Sequence, residues 1–144
     1  MDGDAVLRRI DHVGVVVDDL AQARAFLGQL GLQFDHGFDL GRVEAAFYRL
    51  GDVMIEVVEC RTPEERARRL GESTARIEHI AFEVDDLAEA VAAFGRLGIE
   101  TTKPEPVRQD DIRSYWTVPE SSDGVMYQLF ERLEKEDDRE VGSR

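Results

Sequence analysis

The chain contains one sequence pattern twice, and this internal repeat constrains its fold more than any other feature. Residues 10–32 read IDHVGVVVDDLAQARAFLGQLGL, and residues 77–99 read IEHIAFEVDDLAEAVAAFGRLGI. At one constant offset, His12 aligns with His79, and the VDDL and LG motifs of the two copies also align. A repeat of this length is one supersecondary unit, so we expect two similar modules that complete one core.

A second, shorter echo follows each copy of the repeat. The segment 52–59, DVMIEVVE, matches the segment 124–131, GVMYQLFE, which places Glu56 over Gln128. Each module therefore carries one imidazole and one oxygen-donor side chain at matching places. Two such modules bring four potential ligands toward one centre.

The first module predicts the order β-α-β-β-β. Alternating apolar residues predict a strand over about 8–17. Asp18 or Asp19 then caps a helix that runs to about Leu30, and Gly31 ends it, because glycine accepts the left-handed conformation there. Three further strands are predicted at about 33–39, 42–50 and 53–59.

The second module repeats this order after a connector over about 61–75. In the connector, Thr62 and Pro63 predict the cap and first turn of a small helix. A strand is predicted over about 77–84 and a helix from Asp86 to about Leu97. Later strands are predicted near 99–103, 112–118 and 124–131, followed by a charged tail over 132–144 that we expect to be frayed or disordered.

These elements predict an α+β fold. Two tandem βαβββ modules, at about 8–60 and 76–131, would form a curved mixed sheet, a cup with the helices outside. At 144 residues we expect one domain spanning residues 1–144, built from two fused halves.

Composition excludes several classes of partner. The net charge of −13 argues against nucleic acid and anionic membranes as partners, because both bind basic surfaces. The single cysteine, Cys60, rules out an intramolecular disulfide, and the first residues, MDGDAVLRR, lack the pattern of a signal peptide. No stretch reaches the roughly 20 apolar residues of a membrane span, so we expect a cytoplasmic location.

Four repeated side chains are candidates for a metal site. His12 and His79 each lie on a predicted strand, and the next residue on the same face is very small, Gly14 or Ala81. Glu56 and Gln128 alternate with apolar residues, where an unpaired polar group would be costly. Two imidazoles, one carboxylate and one amide oxygen suit a divalent ion of intermediate hardness: Co, Ni, Mn, Zn or Fe(II).

The doubled IxH motif with VDDL, a helix and a late strand carrying Glu or Gln resembles the vicinal oxygen chelate superfamily. That superfamily includes glyoxalases, bleomycin-resistance proteins, extradiol dioxygenases and methylmalonyl-CoA epimerases. The resemblance covers about residues 8–131. Through IDHVGVVVDDLAQA, the spacing to IEVVE, and HIAFEVDDL, the chain looks most like the epimerases.

The resemblance implies a site and an activity. By position, the implied metal ligands are His12, Glu56, His79 and Gln128. The implied enzyme is a metal-dependent isomerase that stabilises an enolate of a small carbonyl or thioester substrate, and a homodimer is the family expectation. Glu44 lies near a position where some epimerases carry a glutamate proposed as a base, so it is the predicted catalytic residue.

Other functions fit the same superfamily. A glyoxalase-type lyase would use a related site, and a drug-binding protein would sequester its ligand without chemistry. An Fe(II) dioxygenase would use two histidines and one carboxylate. Arg113 is a weaker candidate for holding a substrate carboxylate, whereas His36 lacks a repeat partner and receives no role.

Overall fold

The protein, represented by a computed structural model that describes residues 6–133, divides into two compact units. One unit is Asp11–Ile80, and the other joins residues 1–10 to 81–144, of which the structure describes 6–10 and 81–133. Most of the predicted charged tail therefore lies outside the described residues. Each unit takes residues from both copies of the repeat, so the units do not coincide with the predicted modules. The single-domain organisation stays a prediction.

The predicted order of elements is confirmed in both modules. The first module comprises β1 (Arg9–Val17), α1 (Leu20–Gln29), β2 (Gln33–Asp39), β3 (Val43–Leu50) and β4 (Val53–Cys60). A connecting helix, α2 (Pro63–Arg69), follows as predicted. The second module comprises β5 (Ala75–Glu83), α3 (Leu87–Arg96), β6 (Val107–Gln109), β7 (Ile112–Trp116) and β8 (Met126–Arg132). The α+β class, with a mixed sheet, is confirmed.

The helices begin at the predicted capping residues, and α1 ends just before the predicted glycine. The side chain of Asp19 accepts a hydrogen bond from the backbone N–H of Gln22, which satisfies one of the free donors of α1. Asp86 caps α3 in the same way. Gly31 follows α1 with a φ of 98°, a left-handed conformation that side chains with a Cβ adopt at a cost.

The sheet of the Asp11–Ile80 unit has the strand order β2-β3-β4-β1-β5. β3 is antiparallel to both β2 and β4, whereas β1 and β4 are parallel. One face packs against α1, and we call it the α1 face. The buried apolar cluster between this face and α1 comprises Val17, Leu20, Leu27, Ala46, Tyr48 and Val57.

The opposite face of this sheet carries both apolar residues and the candidate ligands, and we call it the His12 face. Because side chains alternate along a strand, His12, Gly14 and Val16 share this side of β1. The strand pairing brings Glu56 beside Gly14, and Phe47 opposite Glu56. Val16, Val43, Ala45, Val58, Cys60 and Leu70 form its buried apolar cluster.

The other unit has its own buried core. β5, β8, β7 and β6 follow one another in the strand order, and β7 is antiparallel to both β8 and β6. Val84, Leu87, Ala90 and Leu129 form the buried cluster beneath α3. Among residues 6–133, no helix is long and apolar enough to cross a membrane.

The strand predicted at 99–103 was wrong. Thr101 makes only an isolated bridge to Thr117, and the third element of the second module is β6, which begins at Val107. Pro104 and Pro106 explain the displacement, because proline cannot donate a backbone hydrogen bond to a sheet. The tail was expected from Arg132 onward, yet Arg132 is the last residue of β8.

Candidate metal centre

Three of the four predicted ligands meet on the His12 face of the Asp11–Ile80 unit. His12 lies on β1, Glu56 on β4 and His79 on the part of β5 that belongs to this unit. All three are buried, with exposed fractions of 4%, 7% and 5% respectively. Polar side chains are seldom so buried unless they are paired or bind a ligand.

The two imidazoles converge on one carboxylate oxygen. The Nε2 atoms of His12 and His79 lie 3.3 Å and 3.4 Å from Oε1 of Glu56. Their rings are almost perpendicular, with centroids 5.5 Å apart. When one potential ligand atom is taken from each of the three residues, these atoms lie within 4.8 Å of one another.

This geometry fits a metal ion. Imidazole nitrogen and carboxylate oxygen bind divalent ions such as zinc at about 2.0–2.2 Å, so two ligands of one ion are roughly 3.0–3.5 Å apart. The separations from Glu56 to the two imidazoles fall in that range. In addition, Nε2 of His79 is buried and makes no hydrogen bond of acceptable geometry to any residue in 6–133. A cation would satisfy this atom.

An acidic neighbour orients each imidazole. Nδ1 of His12 lies 2.8 Å from Oδ2 of Asp11, and Nδ1 of His79 lies 3.0 Å from Oε1 of Glu78. A proton on Nδ1 donated to these carboxylates leaves Nε2 as the atom that can bind a metal. These acids were not among the predicted site residues, although an acid directly precedes both repeated histidines in the sequence.

Glu78 is itself held by an arginine of the connector. Nε and Nη2 of Arg69 each donate to Glu78, both at 2.8 Å, in a two-pronged contact. Burial raises the pKa of the Glu78 carboxyl, but Arg69 and then His79 outweigh burial and lower the pKa to about 2. α2 therefore reaches the centre through one ion pair, a contact that the sequence pattern did not predict.

Gly14 makes room for the second imidazole. A Cβ on Gly14 would lie 2.1 Å from Cε1 of His79, which is far inside van der Waals contact. The very small residue at this position was predicted to leave space beside a histidine. That histidine is His79.

The charges of the centre are strongly coupled. Burial raises the pKa of Glu56, but the close approach of both imidazoles outweighs burial and lowers the pKa to about 2. Burial lowers the pKa of His79, whereas Glu56 and Glu78 raise it, to about 9 in balance. The pKa of His12 is also raised, by Asp11 and Glu56 against burial. Without a metal, protons on the imidazoles balance the buried carboxylate.

Comparison with known proteins identifies the family. The profile of the Glyoxalase/Bleomycin resistance protein/Dioxygenase superfamily matches residues 11–116. The chain belongs to this superfamily. The uncharacterized protein YqjC of Bacillus subtilis (strain 168) is 27% identical over 130 residues, which cover 87% of this chain and 93% of YqjC.

Solved structures agree with the superfamily assignment. The hypothetical protein BH1468 of Bacillus halodurans C-125 is 26% identical, with a TM-score of 0.75 over 88% of this chain and 96% of that one. Methylmalonyl-CoA epimerase from Mycobacterium tuberculosis is 19% identical, with a TM-score of 0.82 over 100% of this chain and 97% of that one. At that identity the likeness to the epimerase shows the fold alone.

Gln128, the fourth ligand implied by the superfamily resemblance, lies on β8 in the other unit. It is buried, with an exposed fraction of 5%. Its Nε2 donates to Oγ of Ser114 on the neighbouring strand β7, at 3.0 Å. This bond uses the amide nitrogen and leaves Oε1 as the atom that could bind a cation. Its role as a ligand stays a prediction.

Glu44, the base suggested by likeness to the superfamily's epimerases, is not part of this centre. Phe47 shares the His12 face with Glu56, so by alternation Glu44 lies on the α1 face of β3. There its carboxylate forms an ion pair with Arg61. This placement favours a structural role for Glu44, because a base must reach the substrate from the side that holds the ligands. Arg113 is likewise engaged, with Glu131 at 2.8 Å.

Proposed function

We propose that this protein is a metal-dependent isomerase that moves a proton alpha to a carbonyl group, in the manner of an epimerase. The observation that carries the proposal is the buried convergence of His12, Glu56 and His79 on one point. These residues would hold the ion, with Gln128 as the proposed fourth ligand. One carboxylate among neutral donors leaves a divalent ion with net positive charge.

A bound divalent ion would supply a Lewis acid that stabilises the negative oxygen of an enolate. The chain's own residues would do the rest. Asp11 and Glu78 hold the imidazoles in one tautomer, and buried apolar neighbours such as Val16 and Val58 keep water from the carboxylate. Charge interactions are stronger in such a dry site than in water.

For the substrate we propose a small carbonyl compound or a thioester such as methylmalonyl-CoA. Support comes from superfamily membership and from the fold shared with methylmalonyl-CoA epimerases. We further propose a cytoplasmic location, from the single cysteine, and a homodimer, from the family resemblance. Sedimentation of the purified protein would test the dimer.

The decisive experiment combines metal analysis with hydrogen exchange. We expect about one divalent ion per chain after reconstitution, and solvent deuterium entering carbon 2 of methylmalonyl-CoA. Protein that stays metal-free with every ion tried would refute the proposal. A metal-loaded protein that instead converts the methylglyoxal–glutathione adduct would be a glyoxalase-type lyase. Thermal stabilisation by a planar cationic drug without metal would indicate a binding protein.

A second candidate is an Fe(II) dioxygenase. The specific observation in its favour is that the centre of the Asp11–Ile80 unit contains two histidines and one carboxylate, the donor set of non-haem Fe(II) oxygenases. Oxygen uptake with a catechol, only when Fe(II) is bound, would select this function. Exchange of deuterium under nitrogen with a metal that has no redox chemistry, such as zinc, would exclude it for the reaction observed.

A further inference from the structure

Strand β2 contains a β-bulge that changes which face its later side chains occupy. Phe34 pairs with Tyr48, but the next pair along the two strands is His36 with Phe47. Asp35 is the extra residue, and the register shifts at this point. Bulges of this kind re-aim side chains and are frequent beside active sites.

The shift brings His36 to the His12 face. With an unbroken register, His36 would stand opposite Ala46, which belongs to the cluster on the α1 face. With the bulge, His36 stands opposite Phe47, and Phe47 stands opposite Glu56. Gly37 permits the close approach, because a Cβ there would lie 2.7 Å from the backbone oxygen of Ala45.

His36, Phe47 and Glu56 thus form a row across three neighbouring strands. Strands are about 4.8 Å apart, so the Cα atoms of His36 and Glu56 are separated by roughly 10 Å. The imidazole of His36 stacks on the ring of Phe47, with centroids 4.3 Å apart and an angle of 10°. Phe47 also contacts the imidazole of His12 edge-on, with ring centroids 5.1 Å apart. A small substrate held near Glu56 would lie on the same face of the sheet as His36.

The environment of His36 prepares one of its nitrogens to accept a proton. Nδ1 lies 2.7 Å from Oδ1 of Asp35, and the other carboxylate oxygen accepts a hydrogen bond from Nε of Arg49 at 2.9 Å. Arg49, followed by His36, lowers the pKa of Asp35, so that carboxyl stays ionised. In the neutral imidazole the proton is then on Nδ1, and Nε2 keeps its lone pair. The His36 side chain is 52% exposed, so a substrate can reach Nε2.

We infer that His36 is the residue that takes the proton from the substrate carbon, with Asp35 as the positioning residue that orients it. The inference rests on the proposed isomerase function. Glu44, the base that the resemblance suggests, lies on the opposite face of the sheet. Apart from the ligands, His36 is the one histidine in 6–133 on the His12 face.

The step is a simple proton transfer. The carbon–hydrogen bond alpha to the carbonyl breaks, a nitrogen–hydrogen bond forms at Nε2, and the electron pair becomes that of the enolate. Asp35 stabilises the imidazolium that results, as a carboxylate does for other catalytic histidines. Exchange of the Nε2 proton with solvent and its return to carbon would place deuterium in the substrate.

The test compares four metal-loaded proteins: wild type, His36→Phe, His36→Gln and Glu44→Gln. Phenylalanine retains a ring that can stack on Phe47 but cannot accept a proton. Glutamine can still form a hydrogen bond but is not a base. We expect both His36 variants to exchange deuterium into methylmalonyl-CoA at least about 100-fold more slowly, as is typical for loss of a general base. Metal affinity should stay within about 2-fold of wild type, since His36 is not a ligand. Glu44→Gln should lose less than about 3-fold.

Each other outcome overturns the inference. Exchange by His36→Phe within about 3-fold of wild type would remove His36 from the reaction, and recovery by His36→Gln would make it a hydrogen-bonding anchor. A large loss with Glu44→Gln alone would return the role to Glu44. Absence of exchange in metal-loaded wild type would refute the proposed function and this inference together. As a second variant, Asp35→Asn retains the imidazole and should slow exchange by about 10-fold.

Discussion

The two histidines of the candidate centre have the same sequence pattern around them, but different contacts hold their imidazoles in place. On β1, Asp11 orients His12, and on β5, Glu78 orients His79. The second pair has an additional layer, because Arg69 of α2 holds Glu78 through two hydrogen bonds of 2.8 Å. The repeat thus supplies an acid and a histidine twice, while the surrounding elements decide how firmly each imidazole is held.

This difference teaches that similarity between repeats does not imply equal energetic roles. His79 depends on a glycine of the first module for space and on the connector for orientation. His12 instead contacts Phe47 with its ring. Substitutions that act on one half only can separate the contributions of the two histidines.

Removing a ligand should have the largest effect. His12→Ala, His79→Ala and Glu56→Gln should each weaken metal binding by more than about 100-fold, beyond the 10–100-fold typical of residues behind the ligands. Titration calorimetry with the metal alone would measure this. If one histidine variant binds normally, the two halves do not share one ion. The circular dichroism of each variant should match the wild type and serves as the folding control.

Gly14→Ala should affect mainly the His79 half. The added Cβ meets the His79 imidazole at 2.1 Å, so the ring must move away from Glu56. We expect about 1–3 kcal/mol less stability, as is typical of overpacking, together with a loss of metal affinity of more than 10-fold. Chemical denaturation and calorimetry would measure both quantities. Gly28→Ala on α1 is the matched control, because its Cβ meets nothing within 4 Å.

Arg69→Met should loosen His79 without removing a ligand. Methionine retains much of the apolar stem but leaves Glu78 without its two hydrogen bonds, so metal affinity should fall by about 10–100-fold. Arg68→Met on the same helix is the control, since the Arg68 side chain is exposed and pairs with Glu65 rather than with Glu78. Equal losses for the two variants would mean that general charge, rather than the contact to Glu78, controls binding.

Acidity should have a graded effect, which is the smallest of these when the pH changes by a single unit. A metal must displace the proton from His79, whose pKa is raised to about 9, so affinity should rise about tenfold per pH unit below that value when one proton is released. In the metal-free protein the sign is opposite. Because the folded pKa of His79 exceeds its ordinary 6.5, this contribution to stability is complete below 6.5 and is lost as pH rises through about 9. Melting temperatures with and without metal would measure both trends, and a pH-independent affinity would contradict them.

Much of the fold was predictable because helix caps and strand periodicity depend on residues that are close together in the chain. Asp19, Thr62 and Asp86 cap the helices where a short oxygen-bearing side chain precedes an apolar stripe. Seven of the eight predicted strands coincide with observed strands to within a few residues, whereas the strand predicted at 99–103 does not. There, the pairing is limited to one bridge between Thr101 and Thr117, because Pro104 and Pro106 follow and cannot donate backbone hydrogen bonds to a sheet.

The candidate site was predictable to the extent that it repeats. His12 and His79 could be named because packing alone does not require an imidazole twice. Glu56 could be named because a carboxylate on an apolar strand face is costly unless it is paired or binds a metal, and the structure brings the three together. Arg69, in contrast, lies outside the repeat, and its contact with Glu78 depends on where the connector packs. The position of Glu44 also needed the structure, because the alternation of β3 assigns a face only after the register with β4 is known.

By itself, the sequence determined the order of helices and strands, the superfamily resemblance and the residue types that could bind a metal. Only the tertiary structure decided which face each side chain occupies. One extra residue in β2 moves His36 to the face of the ligands, and no local pattern reveals it. The physical reason is that sheet register depends on pairing between distant segments, and a shift of one residue reverses every side chain that follows.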